Sequence, residues 1–278
     1  MVYKDLKKMS NEWKHRLLLS LVWLSIPFSA WYCISINDWT LFFVSYIIAQ
    51  FNKVIGNNIA CHRYFSHRSF KTTKFKHALL ATWPILLASK SPITYAMNHR
   101  HHHLYADTPK DTHSPVTDFW NTITGAWEFR GYQWFEERGV AFGVKDLIRD
   151  PALKFIERNY FKIWAFITIT TLLIDWRLFL FGFLLPAGHY HLMANVVVTT
   201  MAHLKVPGSY RTYNTPDNSQ NNQVIAWLSL GEGFHNNHHA DPSKYDQGYG
   251  KNEFDICAWI VDKFFIINNE QDKRCYLF

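Results

Sequence analysis

The chain has 278 residues, of which 48% are hydrophobic and 17% aromatic, only 18% are charged, and the formal net charge is +7. Twelve Trp and 22 Phe beside so few charges describe a surface that meets lipid, which argues against a single soluble globule. The mean hydropathy of −0.16 still requires a large water-facing part. Its Lys and Arg are scattered between apolar runs, not gathered into the patch that nucleic acid needs, so the charge suits anionic inner-leaflet lipid and an acidic protein partner.

Residues 1–16 carry Lys4, Lys7, Lys8, Lys14 and Arg16, and Leu17 to Ile36 follow without a charge. A helix of about 20 apolar residues crosses a ~30 Å hydrocarbon core, so this stretch predicts a first span. It is too long for a signal peptide, and no small-residue cleavage site follows it. The corner Asn37-Asp38 leads to Trp39–Cys61, interrupted only by Lys53 and by Gly56-Asn57-Asn58. That predicts a second span whose end emerges into water carrying His62.

His62 and His67 are five residues apart, about 140° on an ideal helix. They face one site only where the helix ends or bends between them. Ala78 to Ser89 is uncharged but too short to cross, and reads as an interfacial or re-entrant helix. It precedes Asn98-His99-Arg100-His101-His102-His103. As a helix this stretch points His99, His102 and His103 from one face at i, i+3 and i+4, with His101 turned away.

Leu104 to Arg149 is mixed and belongs on the aqueous side. Asp150-Pro151 is a helix start, with an N-cap acceptor and a first-turn proline. A charged stripe of Lys154, Glu157, Arg158 and Lys162 opposes an apolar one of Leu153, Ile156, Tyr160 and Ile163. This predicts a helix lying on the membrane before turning into a weak third span through Ile163–Ile174. After the corner Asp175-Trp176-Arg177, residues 178–204 carry no Asp, Glu, Lys or Arg, enough to span and to project His203. The i, i+3, i+4 spacing then returns at His235, His238 and His239. The basic N-terminus, the long middle segment and the tail share one side, which the positive-inside rule makes cytoplasmic.

Neutral imidazole binds iron, zinc, copper or nickel. His62, His67, His99, His102, His103, His203, His235, His238 and His239 are nine candidate ligands, too many for one ion, so the sequence asks for two metals. His15, His77 and His113 stand alone and read as packed or solvated side chains. His189 and His191 fall inside the fourth span, where ionisable groups are rare and often functional, yet too deep to meet the clusters. Cys33, Cys61, Cys257 and Cys275 have no paired spacing and read as reduced or buried thiols.

His62-Arg63-Tyr64-Phe65-Ser66-His67, His99-Arg100-His101-His102-His103 and His235-Asn236-Asn237-His238-His239, the last preceded by Gly231-Glu232-Gly233-Phe234, resemble the three histidine boxes of the membrane fatty acyl desaturases. Order and spacing fit the stearoyl-type branch, which acts between carbons 9 and 10, and the likeness runs from about Asn57 to the Trp259 region. The resemblance implies an all-α integral membrane fold: four transmembrane helices in two hairpins, with a cytoplasmic helical cap holding a di-metal site. On this reading the chain is one domain, 1–278, with spans at about 17–36, 39–58, 161–175 and 178–200 and a cap at about 61–160 and 203–278. In the family the boxes and one histidine after the fourth span hold two irons; position by position, the ligands here would be the nine histidines above.

Where the family usually has an Asn that helps hold a metal-bound water, this chain has Thr199, whose hydroxyl can still hydrogen-bond one. Arg211-Thr212-Tyr213-Asn214 and the polar run from Asp217 to Asn222 resemble the loop before the last box, although by composition they read equally as surface loop. The implied reaction is oxygen-dependent insertion of a cis double bond into a saturated acyl chain carried by a glycerolipid, coenzyme A or acyl carrier protein. Two electrons per turnover would come from a separate acidic donor, ferredoxin or cytochrome b5, since no flavin or nicotinamide fingerprint is present. Trp83, Trp120 and Trp127 are candidates to line a narrow apolar tunnel, or equally an interfacial belt. Hydroxylation or ketolation on similar boxes is a second reading, and a histidine-rich metal-handling membrane protein a third.

Overall fold

The computed structural model describes residues 12–129, 134–135 and 143–267; the basic residues 1–11 and Cys275 lie outside the described residues. Everything in it that bears on the site hangs from four long helical runs. The first, α1 (Glu12–Ile36), carries Pro27. The second, α2 (Thr40–Asn52), continues without a break into Lys53–Ser66, where the turns widen to i→i+5 hydrogen bonding. Gly56, Asn57 and Asn58 are weak α-formers at the place where this widening occurs.

Shorter helices build the next layer, each started by a side-chain cap. Thr73 caps α3 (Lys74–Thr82), which tightens into a 3-10 turn at Trp83–Leu87; Ser91 caps α4 (Pro92–Tyr105), and Asp118 caps α5 (Phe119–Thr124). Asp150 accepts from the Leu153 N–H at 2.9 Å and opens α6 (Pro151–Ile174), with proline in the first turn as the sequence predicts. The helix is continuous through residue 162, so the expected turn from a surface segment into a span does not occur. Only the composition of its faces changes along its length.

The fourth run, α7, covers residues 176–203. It is α-type at Trp176–Phe179 and Leu185–His191, wider at Leu180–Leu184 and Leu192–Thr200, and closes in a 3-10 turn at Met201–His203. Among the described residues three short α-helices follow, α8 (Gln223–Ser229), α9 (His235–Ala240) and α10 (Ile256–Ile260), the last continuing in wider turns through Val261–Phe265. Among the same residues no strand forms beyond isolated bridges of Tyr210 to Asn221 and of Asn221 to Phe234.

The long helices wear their apolar side chains outward. Leu24, Trp31 and Ile34 on α1, Phe43 and Ile47 on α2, and Phe166, Ile169 and Leu173 on α6 are all exposed. Trp13–Ile36 is the one described helix that alone is long and apolar enough to cross a membrane. Inside the bundle an apolar cluster that includes Val22, Ile156, Trp164, Phe181 and Leu185 is joined by small and polar contacts. A Cβ on Gly188 would lie 2.9 Å from the Val22 carbonyl of α1, so only glycine lets α7 approach this closely. Ser45 of α2 donates to the Phe181 carbonyl, and the Ser25 hydroxyl of α1 reaches the Leu184 carbonyl at 3.4 Å.

Tyr160 and Trp164 of α6 donate to the carbonyls of Ser89 and Ile85, each at 3.0 Å, and fix α6 to the α3–α4 corner. One turn earlier Glu157 accepts from the hydroxyls of Ser91 and Thr94. Burial, only partly opposed by the Lys90 charge, pushes its carboxyl up to about 7. A raised carboxyl favours the folded state while it stays protonated, and that contribution is lost as pH rises through about 7. Glu157→Gln, which cannot ionise, is therefore expected to match the unaltered chain in thermal midpoint at pH 5 and to exceed it by a few degrees at pH 8.5, the equivalent of about 1–2 kcal/mol. Equal midpoints at both pH values would disprove it.

Candidate metal centre

The expected ligands come together where the ends of α2, α4 and α7 meet α9. All nine do so, in a group of five (His62, His67, His99, His103, His238) and a group of four (His102, His203, His235, His239), ligand atoms within each lying inside 4.8 Å of one another. His62 Nε2 is 2.9 Å from His238 Nε2, and His67 Nε2 is 2.8 Å from His99 Nε2. In the second group His203 and His239 bring their Nε2 atoms to 3.0 and 3.1 Å from that of His235.

His62 and His67 share a group, and the helix ends between them as the sequence requires, at Ser66 with His67 as its C-cap. The widened turns bring them together: the His67 N–H bonds the His62 carbonyl at 3.2 Å, an i→i+5 step that stacks the two residues on one face. The two boxes of i, i+3, i+4 spacing behave reciprocally. His99 and His103 face the first group while His102 turns to the second; His235 and His239 face the second while His238 turns to the first. One helical turn separates i from i+4, so these two stay together, and the i+3 side chain diverges to the other side.

Among the described residues, four carboxylates stand behind the rings. Glu232 lies 2.7 Å from His62 Nδ1, Asp111 2.9 Å from His102 Nδ1, Asp107 3.0 Å from His203 Nδ1 and Asp217 3.1 Å from His239 Nδ1. A carboxylate at Nδ1 keeps the proton there and leaves the Nε2 lone pair for the centre. The lone pairs of His203 and His239 then both point at His235 Nε2, which has at most one proton to offer. A cation between them satisfies all three, so the donor set fits a metal.

Electrostatics agree. Burial first, and then neighbouring imidazoles, hold His67, His99, His103, His235, His238 and His239 well below the usual histidine range, the neutral form a metal requires. Burial would lower His102 as well, but the Asp111 carboxylate outweighs it and raises that ring. Glu232, which burial alone would raise, is held far down by Arg63 and His62.

One cavity is lined by His62, His99, His102, His203 and His235 of the two groups together with Thr199, Val198, Trp127, Tyr190 and Lys53. Thr199 thus sits in the wall one turn before His203. Trp127 lines the cavity as expected, but Trp83 and Trp120 do not. Trp83 bonds Asn52 at 3.2 Å, and Trp120 is 74% exposed. The wall is also less apolar than the sequence predicts, since Lys53, Asn57, Asn58, Tyr95 and Glu232 are part of it.

A sequence profile of the fatty acid desaturases matches residues 37–251. The chain belongs to that family. It is 32% identical over 215 residues to a probable chloroplastic lipid desaturase of Arabidopsis thaliana, 74% of this chain and 56% of the relative. It is 31% identical to delta-9 acyl-lipid desaturase 1 of the same plant, covering 79% of this chain and 71% of that one. With an icosanoyl-CoA 5-desaturase of Limnanthes douglasii it shares 30% identity, covering 81% and 62%. The chain therefore spans little more than half the length of the first of these desaturases.

The remaining histidines of this desaturase-family chain are packed side chains, as the sequence reading has them, while one polar loop departs from it. His113, isolated in the sequence, stacks on His102 at 4.3 Å and on Trp127 at 4.1 Å, with its backbone N–H on Asp111, so it supports a ligand. The polar run from Asp217 to Asn222 is not loose surface: Asp217, Ser219, Gln220, Asn221 and Asn222 are buried, and Asn221 receives the N–H groups of Asn236 and Asn237. His191 pairs with Glu128 at 3.3 Å, and His189 packs against Phe42 and Tyr46; both stay out of the two groups. His77 bridges Asp150 and Tyr64, His101 bonds the Lys110 carbonyl, and His15 packs on Phe161. Asp107, Asp111, Asp217 and Glu232 carry roles that spacing alone does not reveal. Each is an acidic residue within a few positions of a box or of the polar loop, the one signal a sequence offers for them.

Proposed function

We propose that this chain is a di-iron fatty acyl desaturase that inserts a cis double bond, at the delta-9 position, into a saturated acyl chain. The observation that carries this is the division of nine imidazoles into converging groups of five and four, four of them backed by carboxylates. Two irons bound there supply, with dioxygen, an oxidant strong enough to take hydrogen from unactivated methylenes, which no side chain can. The residues hold the imidazoles neutral and oriented, close the space to water with Trp127 and Tyr190, and give any metal-held water a partner in Thr199.

The rest of the reading follows from the outward apolar faces. On it, the single domain 1–278 crosses the bilayer four times with α1, α2, α6 and α7, the cap and the nine ligands lie on the cytoplasmic side, and lipid surrounds the bundle. Acyl-lipid and acyl-CoA enzymes both occur among the relatives, so glycerolipid, coenzyme A and acyl carrier protein are all substrate forms to test. The net charge of +7 suits an acidic donor, ferredoxin or cytochrome b5.

The test is the fatty-acid profile of a host expressing the chain beside a His102→Ala control, with double bonds located by mass spectrometry. New cis-monoenes at carbon 9, absent from the control, are the expected result. Hydroxy or keto products would move the assignment to a hydroxylase or ketolase. No new product from folded, iron-loaded protein with donor supplied would overturn it in favour of metal handling.

A further inference from the structure

The second span is interrupted by Lys53, Asn57 and Asn58, and the desaturation chemistry uses none of them. All three are buried, Lys53 with 2% of its surface exposed, and all face the cavity that reaches the histidines. Lys53 precedes His62 by nine residues on α2, between the ligands and the Asn37-Asp38 corner at the far end of the bundle.

Two of the three are absorbed by the fold. Asn58 Nδ2 donates to the Ser229 carbonyl at 3.1 Å and lies 3.5 Å from the Cys257 sulfur. Asn57 Nδ2 donates to Asn58 Oδ1 and its Oδ1 accepts from the Tyr190 hydroxyl, both at 3.1 Å. Lys53 is different. Its ammonium has three hydrogens, and the structure gives it one hydrogen bond, a long one of 3.3 Å to the Leu228 carbonyl at the end of α8.

A buried ammonium is costly unless it is matched by acceptors, and although Asn57, Asn58, Tyr95 and Glu232 share the cavity wall, among the described residues only the Leu228 carbonyl is within hydrogen-bond distance of Lys53. A neutral amide or hydroxyl would bond the Leu228 carbonyl at a smaller desolvation cost. A plain alkyl terminus, moreover, gains nothing beside a desolvated charge. An oxygen-bearing terminus would complete the unfilled donor positions.

We propose that the wall around Lys53 is a polar subsite for the far end of the acyl chain, and that it selects chains ending in a carboxylate over chains ending in a methyl group. The inference rests on the desaturase reading for the direction in which the chain lies: carrier end toward the cap, the middle at the histidines, the terminus at Lys53. Tyr190 and Asn57 form the adjacent wall.

The test is binding to the full chain in detergent, loaded with zinc so that no turnover intervenes. Methyl palmitate is compared with monomethyl hexadecanedioate, in which the only free carboxylate is at the far end. The diacid monoester is expected to bind at least tenfold more tightly to the unaltered chain, Lys53→Met to abolish the difference, and Lys53→Arg to retain part of it. Equal affinities in the unaltered chain, a preference for methyl palmitate, or a difference that survives in Lys53→Met would overturn the proposal. If Lys53→Met does not fold, the ratio measured on the unaltered chain decides alone. Failure of this test leaves the desaturase reading standing, because that depends on products and on His102→Ala.

Discussion

On the proposed di-iron reading, a His203→Ala chain purified from iron-supplemented cells is expected to hold about one iron against two for the unaltered chain, and to make less than about 1% of the unsaturated product expected of it. The group of four falls to three imidazoles, and Asp107, which bonds His203 at 3.0 Å, loses the partner that holds its carboxyl down against burial. His67→Ala is expected to be milder in metal content, since its group retains four. Metal analysis of the two variants side by side measures this. Equal loss of both irons in both variants would mean that the nine imidazoles bind as one unit, contrary to their division into five and four.

The same asymmetry appears in the supports. Among the described residues, three of the four rings in the second group, His102, His203 and His239, have a carboxylate at Nδ1, whereas in the first group only His62 does. Asp107 links these supports together. It accepts from the Asn218 N–H at 2.7 Å, so the loop before the last box is tied to the segment after the second box and to the end of α7 at once. The second group is thus built from three distant parts of the chain and held by acids, while the first relies mainly on packed imidazoles.

How legible this is in the sequence differs by feature. Helices at 17–36 and 178–200 are legible because a long uncharged run leaves one strong constraint, composition, which survives without an alignment. The nine candidate ligands are legible because metal binding would restrict both residue type and spacing. Their partition is not, since a helical wheel of ideal pitch puts His99, His102 and His103 on one face and separates His62 from His67. A local change of pitch and the arrival of α9 decide both. The carboxylates escape because an Asp in a polar loop has the same sequence appearance whether it is solvated or bonded to a ring. The continuity of α6 is hidden for a related reason: a charged stripe reads as an aqueous face, although Glu157 in that stripe bonds Ser91 and Thr94 of α4.

Arg63→Met is expected to cost the protein about 3–5 kcal/mol of stability and to abolish metal binding with it. Arg63 is 1% exposed and directly follows His62. Its guanidinium donates to the carbonyls of Tyr245 at 2.7 Å and Asn58 at 3.0 Å, to Glu232, and to Asp255 at 2.8 Å. Those partners lie on α2, before α9 and beyond it, so one side chain pins the last box against the first. Removing it leaves two buried carboxylates facing each other without a cation, and frees Glu232 from the position that orients His62. Arg63→Lys keeps the charge but not the planar fork, and is expected to recover less than half of the loss. Because Glu232 is held well below the ordinary carboxylate range, its contribution is complete at neutral pH and disappears as pH falls through its lowered value. Thermal midpoints of Arg63→Met and the unaltered chain should therefore lie far apart at pH 7 and converge in strong acid. A gap that stayed constant with pH would mean that Arg63 acts through packing and its carbonyl contacts alone.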